Sequence, residues 1–74
     1  MSKEKFAEEV GKRIRKYREE AGLSQEELAH RCGLYRTYIG HLENGRYSPS
    51  AYILVRICKS LKITISQLLP NNFS

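Results

Sequence analysis

Polar side chains suited to hydrogen bonding with nucleic-acid bases are concentrated in one stretch, from Tyr35 to Arg46. Arg36 carries a planar guanidinium that can donate two hydrogen bonds to O6 and N7 of a guanine. Thr37 offers a hydroxyl and a methyl group, and His41 can donate or accept at a base edge one helical turn further on. The chemistry predicted for this stretch is recognition of base edges. The alternative for each side chain is an ordinary solvated surface position.

The remaining residues with catalytic or metal-binding side chains form no recognisable set. Two histidines, His30 and His41, and two cysteines, Cys32 and Cys58, match neither the spacing of metal ligands nor a nucleophile with its base. No glycine-rich phosphate loop is present in the sequence. We therefore expect neither catalysis nor a bound metal, cofactor or small-molecule ligand. The cysteines are interpreted as small core residues, with redox sensing as the alternative.

Two short helices joined by a tight turn must position the polar side chains. Ser24 and Glu27 have the spacing of a capping box, so the first of these helices is predicted to begin at Gln25. Gly33 supplies the left-handed conformation that ends it. The inward residues of this helix fall on one face at helical spacing and are Leu28, Ala29 and Cys32.

The second helix is predicted over about residues 36–44 and ends at Gly45, again a residue that tolerates positive φ. Its buried residues are Ile39 and Leu42. A rotation of about 100° per residue gives the outward face, which consists of Arg36, Thr37, Gly40, His41 and Asn44. Gly40 costs about 1 kcal/mol inside a helix. A groove floor that approaches the backbone closely would explain it, and sequence drift is the alternative.

Four small or apolar residues of this unit, counted from Gln25, have the spacing found in the helix-turn-helix of phage repressor and Cro proteins: Ala29, Gly33, Ile39 and Leu42. The segment LENGR, residues 42–46, is similar to that family's usual ending, and the resemblance extends over roughly residues 6–69. The chain thus resembles the phage repressor and Cro family. The resemblance implies a helix-turn-helix at about residues 25–44, a homodimer, and sequence-specific binding to a two-fold operator in double-stranded DNA that regulates transcription.

Within that family, the single-domain length and the residues RTYI of the second helix look like the controller proteins of restriction-modification systems. Small phage repressors and antitoxins that regulate their own operons share the architecture and remain alternatives. A protein-interaction module that has kept the fold and lost DNA binding is the rival from another class. The polar, basic outward face of the second helix argues against that rival.

The resemblance also assigns roles to individual residues. The position of Gln25 grips a phosphate in that family, through its side chain and the amides of the first helical turn. Glu43 pairs by resemblance with Arg18, which ties the first helix of the chain to the helix that reads DNA. Tyr35 replaces the family's usual Ser or Thr, so the cap hydrogen bond is lost and the ring can reach a sugar or a base. From their positions on the second helix and at its end, further phosphate contacts are expected from the Tyr38 hydroxyl, Asn44 and Arg46, and closure of the turn is the alternative role for Asn44.

Three more helices complete the predicted fold, which is all-α with five helices in a single domain, residues 1–74. The apolar stripe of the first helix, about residues 3–21, consists of Phe6, Val10, Ile14 (or the Arg13 stem), Tyr17 and Ala21. The fourth helix, about residues 51–61, is capped by Ser50. Its predicted inward residues are Ala51, Leu54, Val55, Cys58 and Leu61.

The C-terminal end combines an unusual turn with surplus apolar side chains. Lys62 stands where the resembled family usually has Gly, and a non-Gly residue in the left-handed region costs on the order of 1 kcal/mol, so the turn is either strained or shaped differently. Thr64 and Gln67 repeat a capping box and open a short fifth helix, about residues 65–69. A dimer interface is predicted here because one subunit cannot bury all of Ile63, Ile65, Leu68, Leu69 and Phe73.

Composition agrees with a DNA-binding dimer. Lys and Arg number 13 against 8 Asp and Glu, a net charge of +5, which favours a polyanionic partner, with plain solvated surface as the alternative. A domain of this size buries only about 60% of its unfolded surface and is often helped by a partner chain. No apolar run is long enough to span a membrane and the N-terminus lacks the apolar core of a signal peptide, so a cytoplasmic location is expected.

Overall fold

The computed structural model of the chain describes residues 1–71. Across this range the protein contains five α-helices and no β-strand, which confirms the predicted all-α class. The helices are α1 (Lys3–Glu20), α2 (Gln25–Cys32), α3 (Arg36–Glu43), α4 (Ala51–Leu61) and α5 (Ile65–Leu68). Where a predicted helix differs, it is one residue too long at its C-terminus, because that residue is the cap rather than the last helical position.

Side chains start most of the helices as predicted. Ser24 Oγ accepts a hydrogen bond from the Glu27 N–H at 3.0 Å, and the Glu27 carboxylate accepts one from the Ser24 N–H at 2.8 Å. Ser50 Oγ accepts from the Ile53 N–H at 3.2 Å at the start of α4. At α5 the Thr64 N–H donates to Gln67 Oε1 at 2.8 Å, while the Gln67 N–H donates to the backbone carbonyl oxygen of Thr64. The N-cap of α3, Tyr35, makes no side-chain cap hydrogen bond. This loss is the one expected from a Tyr at that position.

A left-handed residue ends each of the four longer helices. These residues are Gly22, Gly33, Gly45 and Lys62. In each turn the N–H of the following residue donates to a carbonyl of the preceding helix at 2.9–3.1 Å, which closes the helix end. Lys62 has φ 58°, so of the two shapes considered for that turn the chain adopts the strained one.

The helices pack around one core, with α3 held between α1 and α2, and with α4 behind α2. The largest side chains fully enclosed in that core are Val10, Ile14, Leu28, Cys32, Ile39, Leu42, Ile57 and Leu68. Helix α1 lies close against the backbone of α3 at Gly11, where an added Cβ would overlap the carbonyl oxygen of Leu42 and lie 2.8 Å from that of Glu43. Gly11 therefore sets the separation between α1 and α3.

Two of the predicted inward stripes are wrong in part. On α4 the buried arc is Leu54, Ile57, Cys58 and Leu61, whereas Val55 is 45% exposed and Ala51 is exposed. Val55 lies beside the buried face of α4 and points to solvent. Ala51 is the first residue of the helix and precedes the residues that pack against the core. On α1, Ile14 rather than the Arg13 stem fills the core, and Ala21 is exposed because the helix has already ended there.

The prediction that Leu68 contributes to a dimer interface is wrong. Helix α5 packs against α4 and α1 and inserts Leu68 into the core, where none of its surface is exposed. Ile63 and Leu69 are partly buried against the same core, and Ile65 is 41% exposed. Phe73, the last residue named for that interface, lies outside the described residues. Ile65 is therefore the most accessible apolar side chain of the predicted set in the described part of the chain.

Candidate nucleic-acid interface

The structure brings the predicted base-reading residues together along one side of α3. Arg36 and Thr37 are exposed at the first turn of the helix, and the Tyr35 ring just before them is 83% exposed. Gly40 and His41 follow on the same side and are half-buried. Within residues 1–71, no side chain pairs with the guanidinium of Arg36, so all of its donors are available to a ligand.

Gln25, at the first turn of α2, lies beside this face. A Cβ added to Gly40 would sit 3.7 Å from Gln25 Oε1, which is ordinary van der Waals contact. The Gln25 Nε2 group donates to Glu43 Oε1 at 3.0 Å. Gln25 is therefore held in place by α3, and one further amide N–H and its backbone N–H remain for a phosphate.

Glu43 is the hub of the site. Its side chain is buried, and Arg18 donates to both of its oxygens, with Nε 2.6 Å from Oε2 and Nη2 3.1 Å from Oε1. Arg15 Nε donates to Oε1 at 3.3 Å. The ion pair that the resemblance implied between Arg18 and Glu43 is thus present in the structure. It fastens α1 to the C-terminal end of α3, and Arg18 Nη1 continues the link to the carbonyl oxygen of Leu23 at 2.7 Å.

Ionisation of this hub follows from its contacts. Burial by itself raises the pKa of Glu43, but hydrogen bonds from Arg18, Gln25 and Arg15 and the attraction of Arg18 outweigh burial and hold the pKa below its ordinary value. The hydrogen bond to Glu43 correspondingly raises the pKa of Arg18. Both groups are therefore charged, and the pair holds geometry even where its net contribution to stability is small.

Arg15 belongs to this site although the sequence did not identify it. Besides Glu43, it donates through Nη2 to Asn44 Oδ1 at 3.3 Å. In the sequence the cations of α1 have a sufficient explanation in the helix dipole, so Arg15 carried no separate signal. Its spacing of three residues from Arg18 places both on one side of α1, which is the only hint available. Asn44 therefore presents its amide N–H groups to a ligand while its oxygen is occupied.

Tyr47 is a second residue that the sequence assigned only to a loop. Its ring stacks on Tyr38, with centroids 6.0 Å apart, and forms a T-shaped pair with the His41 ring, with centroids 5.4 Å apart and an interplanar angle of 89°. Tyr38 is partly buried against the core, as expected for a ring at the margin of the inner face. Arg46 is exposed, and its Nη1 lies 3.4 Å from His41 Nδ1. These four side chains form a cluster at the C-terminal end of α3.

The cysteines lie away from this face. Cys32 and Cys58 are free and buried, and burial raises the pKa of the Cys58 thiol. Cys32 Sγ donates to Ser60 Oγ at 3.3 Å. Within residues 1–71, no group of three or more His, Cys, Asp or Glu side chains is arranged to hold a metal ion. In the same range no helix is long and apolar enough to cross a membrane.

The segment that contains this site is similar in sequence and structure to helix-turn-helix proteins. A helix-turn-helix family model, HTH_3, matches residues 14–68. The chain is 54% identical over 48 residues to an uncharacterized HTH-type transcriptional regulator of Methanothermobacter thermautotrophicus, covering 65% of this chain and 70% of that protein. The crystal structure of the restriction-modification controller protein C.AhdI from Aeromonas hydrophila has a TM-score of 0.82 and 35% identity, covering 85% of this chain and 96% of that one. The biofilm regulator SinR, crystallised in complex with DNA, has a TM-score of 0.76 and 32% identity, covering 80% and 95%.

Proposed function

Because this chain belongs to the HTH_3 family of helix-turn-helix proteins, we propose that it regulates transcription by binding a specific site in double-stranded DNA as a homodimer. The observation that carries the proposal is the outward face of α3. Arg36 and Thr37 are exposed at the start of that helix, and Arg36 has no side-chain partner within residues 1–71. A short polar helix with an open N-terminal end fits the major groove of B-DNA.

Contacts with bases are assigned to this face. Arg36 reads a guanine through two parallel hydrogen bonds, and Thr37 meets a base edge or a thymine methyl group. The exposed ring of Tyr35 reaches a sugar or a base. His41 contacts a base one turn further along, and Gly40 lets the groove approach the helix backbone.

Contacts with phosphates are assigned to the residues around this face. Gln25 offers a phosphate the N-terminal amides of α2 together with its side chain. Asn44 offers its amide N–H groups and Arg46 its guanidinium at the other end of α3, while the Tyr38 hydroxyl reaches a further phosphate. Such contacts add affinity for any DNA sequence, whereas the base contacts add affinity for one sequence only.

We infer that the chain forms a symmetric dimer through its C-terminal end, and a two-fold operator whose half-sites lie about one helical turn, roughly 34 Å, apart follows from that symmetry. The C-terminal end remains the proposed interface, but it now rests on Ile65 with the partly buried Ile63 and Leu69. The buried Leu68 does not take part. A small domain gains stability from such a partner chain.

As the finer role we propose a controller of a restriction-modification operon. Its support is the likeness to the controller protein C.AhdI over 96% of that chain. Small phage repressors and autoregulating antitoxins are the alternatives, and the genes next to the coding sequence distinguish the three.

Selection of bound sites from random duplex DNA tests the proposal. We expect enrichment of one motif with two-fold symmetry, and binding to it that weakens linearly in log K against log salt. Retention of random DNA without enrichment would contradict sequence-specific binding. Absence of both enrichment and salt-dependent retention would favour a protein-interaction module instead.

A further inference from the structure

The C-terminal end of α3 differs from the other helix ends in one side chain. At the ends of α1, α2 and α4, the residue after the left-handed position is apolar and packs in or against the core, and these residues are Leu23, Leu34 and Ile63. An apolar contact of this kind commonly accompanies such a helix end. After Gly45 the corresponding residue is Arg46, which is exposed. Core packing therefore does not explain the residue found there.

The turn instead holds Arg46 against His41. The Arg46 backbone N–H donates to the His41 carbonyl oxygen at 2.9 Å, and Arg46 Nη1 lies 3.4 Å from His41 Nδ1. A guanidinium can only donate hydrogen bonds, so when this contact forms Nδ1 is the acceptor and carries no proton. The proton of the neutral imidazole is then on Nε2.

Tyr47 restrains the same imidazole from another side. Its ring meets the His41 ring edge to face, with centroids 5.4 Å apart, and is itself stacked on Tyr38. Tyr38 is packed against the core, so the restraint is anchored in the body of the protein. Among residues 1–71, none forms a hydrogen bond with His41 Nε2, which leaves that nitrogen for a ligand.

Resting on the proposed function, we propose that Arg46 and Tyr47 are positioning residues that hold His41 as its Nε2–H tautomer, so that it reads a base edge bearing a hydrogen-bond acceptor. In the major groove guanine offers O6 and N7, adenine N7 and thymine O4, whereas cytosine offers only the donor N4 amino group. His41 therefore discriminates against cytosine at the base that it contacts. Arg46 keeps its other N–H groups for a phosphate.

Tautomer populations in the free protein test the first half of this inference. Two-bond proton–nitrogen NMR spectra of the ¹⁵N-labelled protein, at a pH where imidazole is neutral, distinguish the two ring nitrogens. We expect the Nε2-protonated fraction of His41 to exceed that of His30, an exposed histidine with no side-chain hydrogen bond among residues 1–71, and Arg46→Ala to lower it toward the His30 value. Identical tautomer populations for His41 and His30 in the wild-type protein would overturn the inference.

Binding to single-base variants of the selected site tests the second half. Cytosine at the His41 position should weaken wild-type binding roughly two- to tenfold, the worth of one hydrogen bond. His41→Ala and Tyr47→Ala should flatten the preference at the same base pair, and the double variant should be no flatter than His41→Ala alone. Tyr47→Phe, which keeps the ring, is the matched control and should retain the preference.

The outcomes separate this inference from the proposed function. If the wild-type protein selects no site at all, the reading role fails together with the proposed function. If a site is selected but cytosine carries no penalty at any base pair that responds to His41→Ala, only the inference fails. A Tyr47→Ala protein that binds every variant more weakly by one common factor would show that Tyr47 supports the fold rather than positions His41.

Discussion

At the scale of single residues, Glu43 determines how α3 is held. Three side chains, two from α1 and one from α2, donate hydrogen bonds to its carboxylate. An apolar side chain at this position could not accept any of them. Removing one partner of such a pair leaves the other charge buried and unpaired, which costs more than the intact pair contributes. The orientation of the outward face of α3 thus depends on a residue that makes no proposed DNA contact.

Low pH should protonate Glu43 and remove its ion pair with Arg18. Because the folded pKa of Glu43 lies below its ordinary value of 4.5, its contribution to stability is fully present above that value and is lost as the pH falls through the folded pKa. We expect Glu43→Gln to lower the free energy of unfolding by about 3 kcal/mol near neutral pH and to flatten its decline in acid. Urea denaturation between roughly pH 7 and pH 3 measures both effects. The exposed Glu20→Gln is the control, and curves parallel to wild type for Glu43→Gln would contradict the assignment.

Arg36 is expected to determine preference at one base pair more than it determines overall affinity for DNA. Arg36→Ala should weaken binding to any DNA somewhat, since a charge is lost, but its distinctive effect should be a relaxed preference at one base pair in each half-site, worth about 1 to 3 kcal/mol per contact. Lys59→Ala, which removes an exposed charge beside Arg56 on α4, should leave the preference profile unchanged. Quantitative binding of all single-base operator variants decides the matter. A profile that keeps its shape in Arg36→Ala would make Arg36 a phosphate ligand.

At the scale of elements, two glycines have opposite roles. Gly11 lies where α1 meets the backbone of α3, whereas the space beside Gly40 would accept a methyl group 3.7 Å from Gln25 Oε1. The first glycine is required by helix packing. The second is not required by anything inside the described part of the subunit.

Alanine at these two positions should separate stability from binding. Gly11→Ala should destabilise the fold by about 1 to 3 kcal/mol through overpacking. Gly40→Ala should stabilise it by up to about 1 kcal/mol, since alanine favours a helix interior, yet weaken operator binding where the groove approaches α3. Thermal denaturation and operator titration of both variants provide the comparison. If Gly40→Ala stabilises the protein and leaves operator affinity unchanged, DNA binding does not require a glycine at this position.

At the scale of the whole molecule, the proposed dimer connects the fold to the proposed two-fold operator. Ile65→Asp should keep the helical content of the subunit, because Ile65 is 41% exposed, but should weaken both dimerisation and operator binding. Leu68→Asp should instead unfold the subunit, because Leu68 is fully buried. Sedimentation at tens of micromolar, with circular dichroism as the check on folding, distinguishes the two. A wild-type monomer both free and on DNA would exclude the dimer.

The sequence by itself determined the local features of this protein. Helix starts at Ser24 and Ser50, helix ends at Gly33 and Gly45, and the inward faces of α2 and α3 all follow from hydrogen bonds between near neighbours and from the helical repeat. These features need no knowledge of where distant segments lie. The resemblance to a helix-turn-helix family rests on the same local spacing, so the sequence alone is enough to indicate the family.

Only the tertiary structure decided which side chains from distant segments meet. Ile57 is buried instead of Val55, and Leu68 is buried within its own subunit. Both outcomes depend on how α4 and α5 are rotated about their axes against the core. The sequence does not give that rotation, because several neighbouring sets of residues on a helix have the same periodicity. Arg15 donates to Glu43, and the Tyr47 ring contacts the His41 ring, because packing brings together segments that are separate in the sequence. Sequence periodicity indicates which face of a helix is buried, but the distance between side chains on two helices depends on all the residues packed between them.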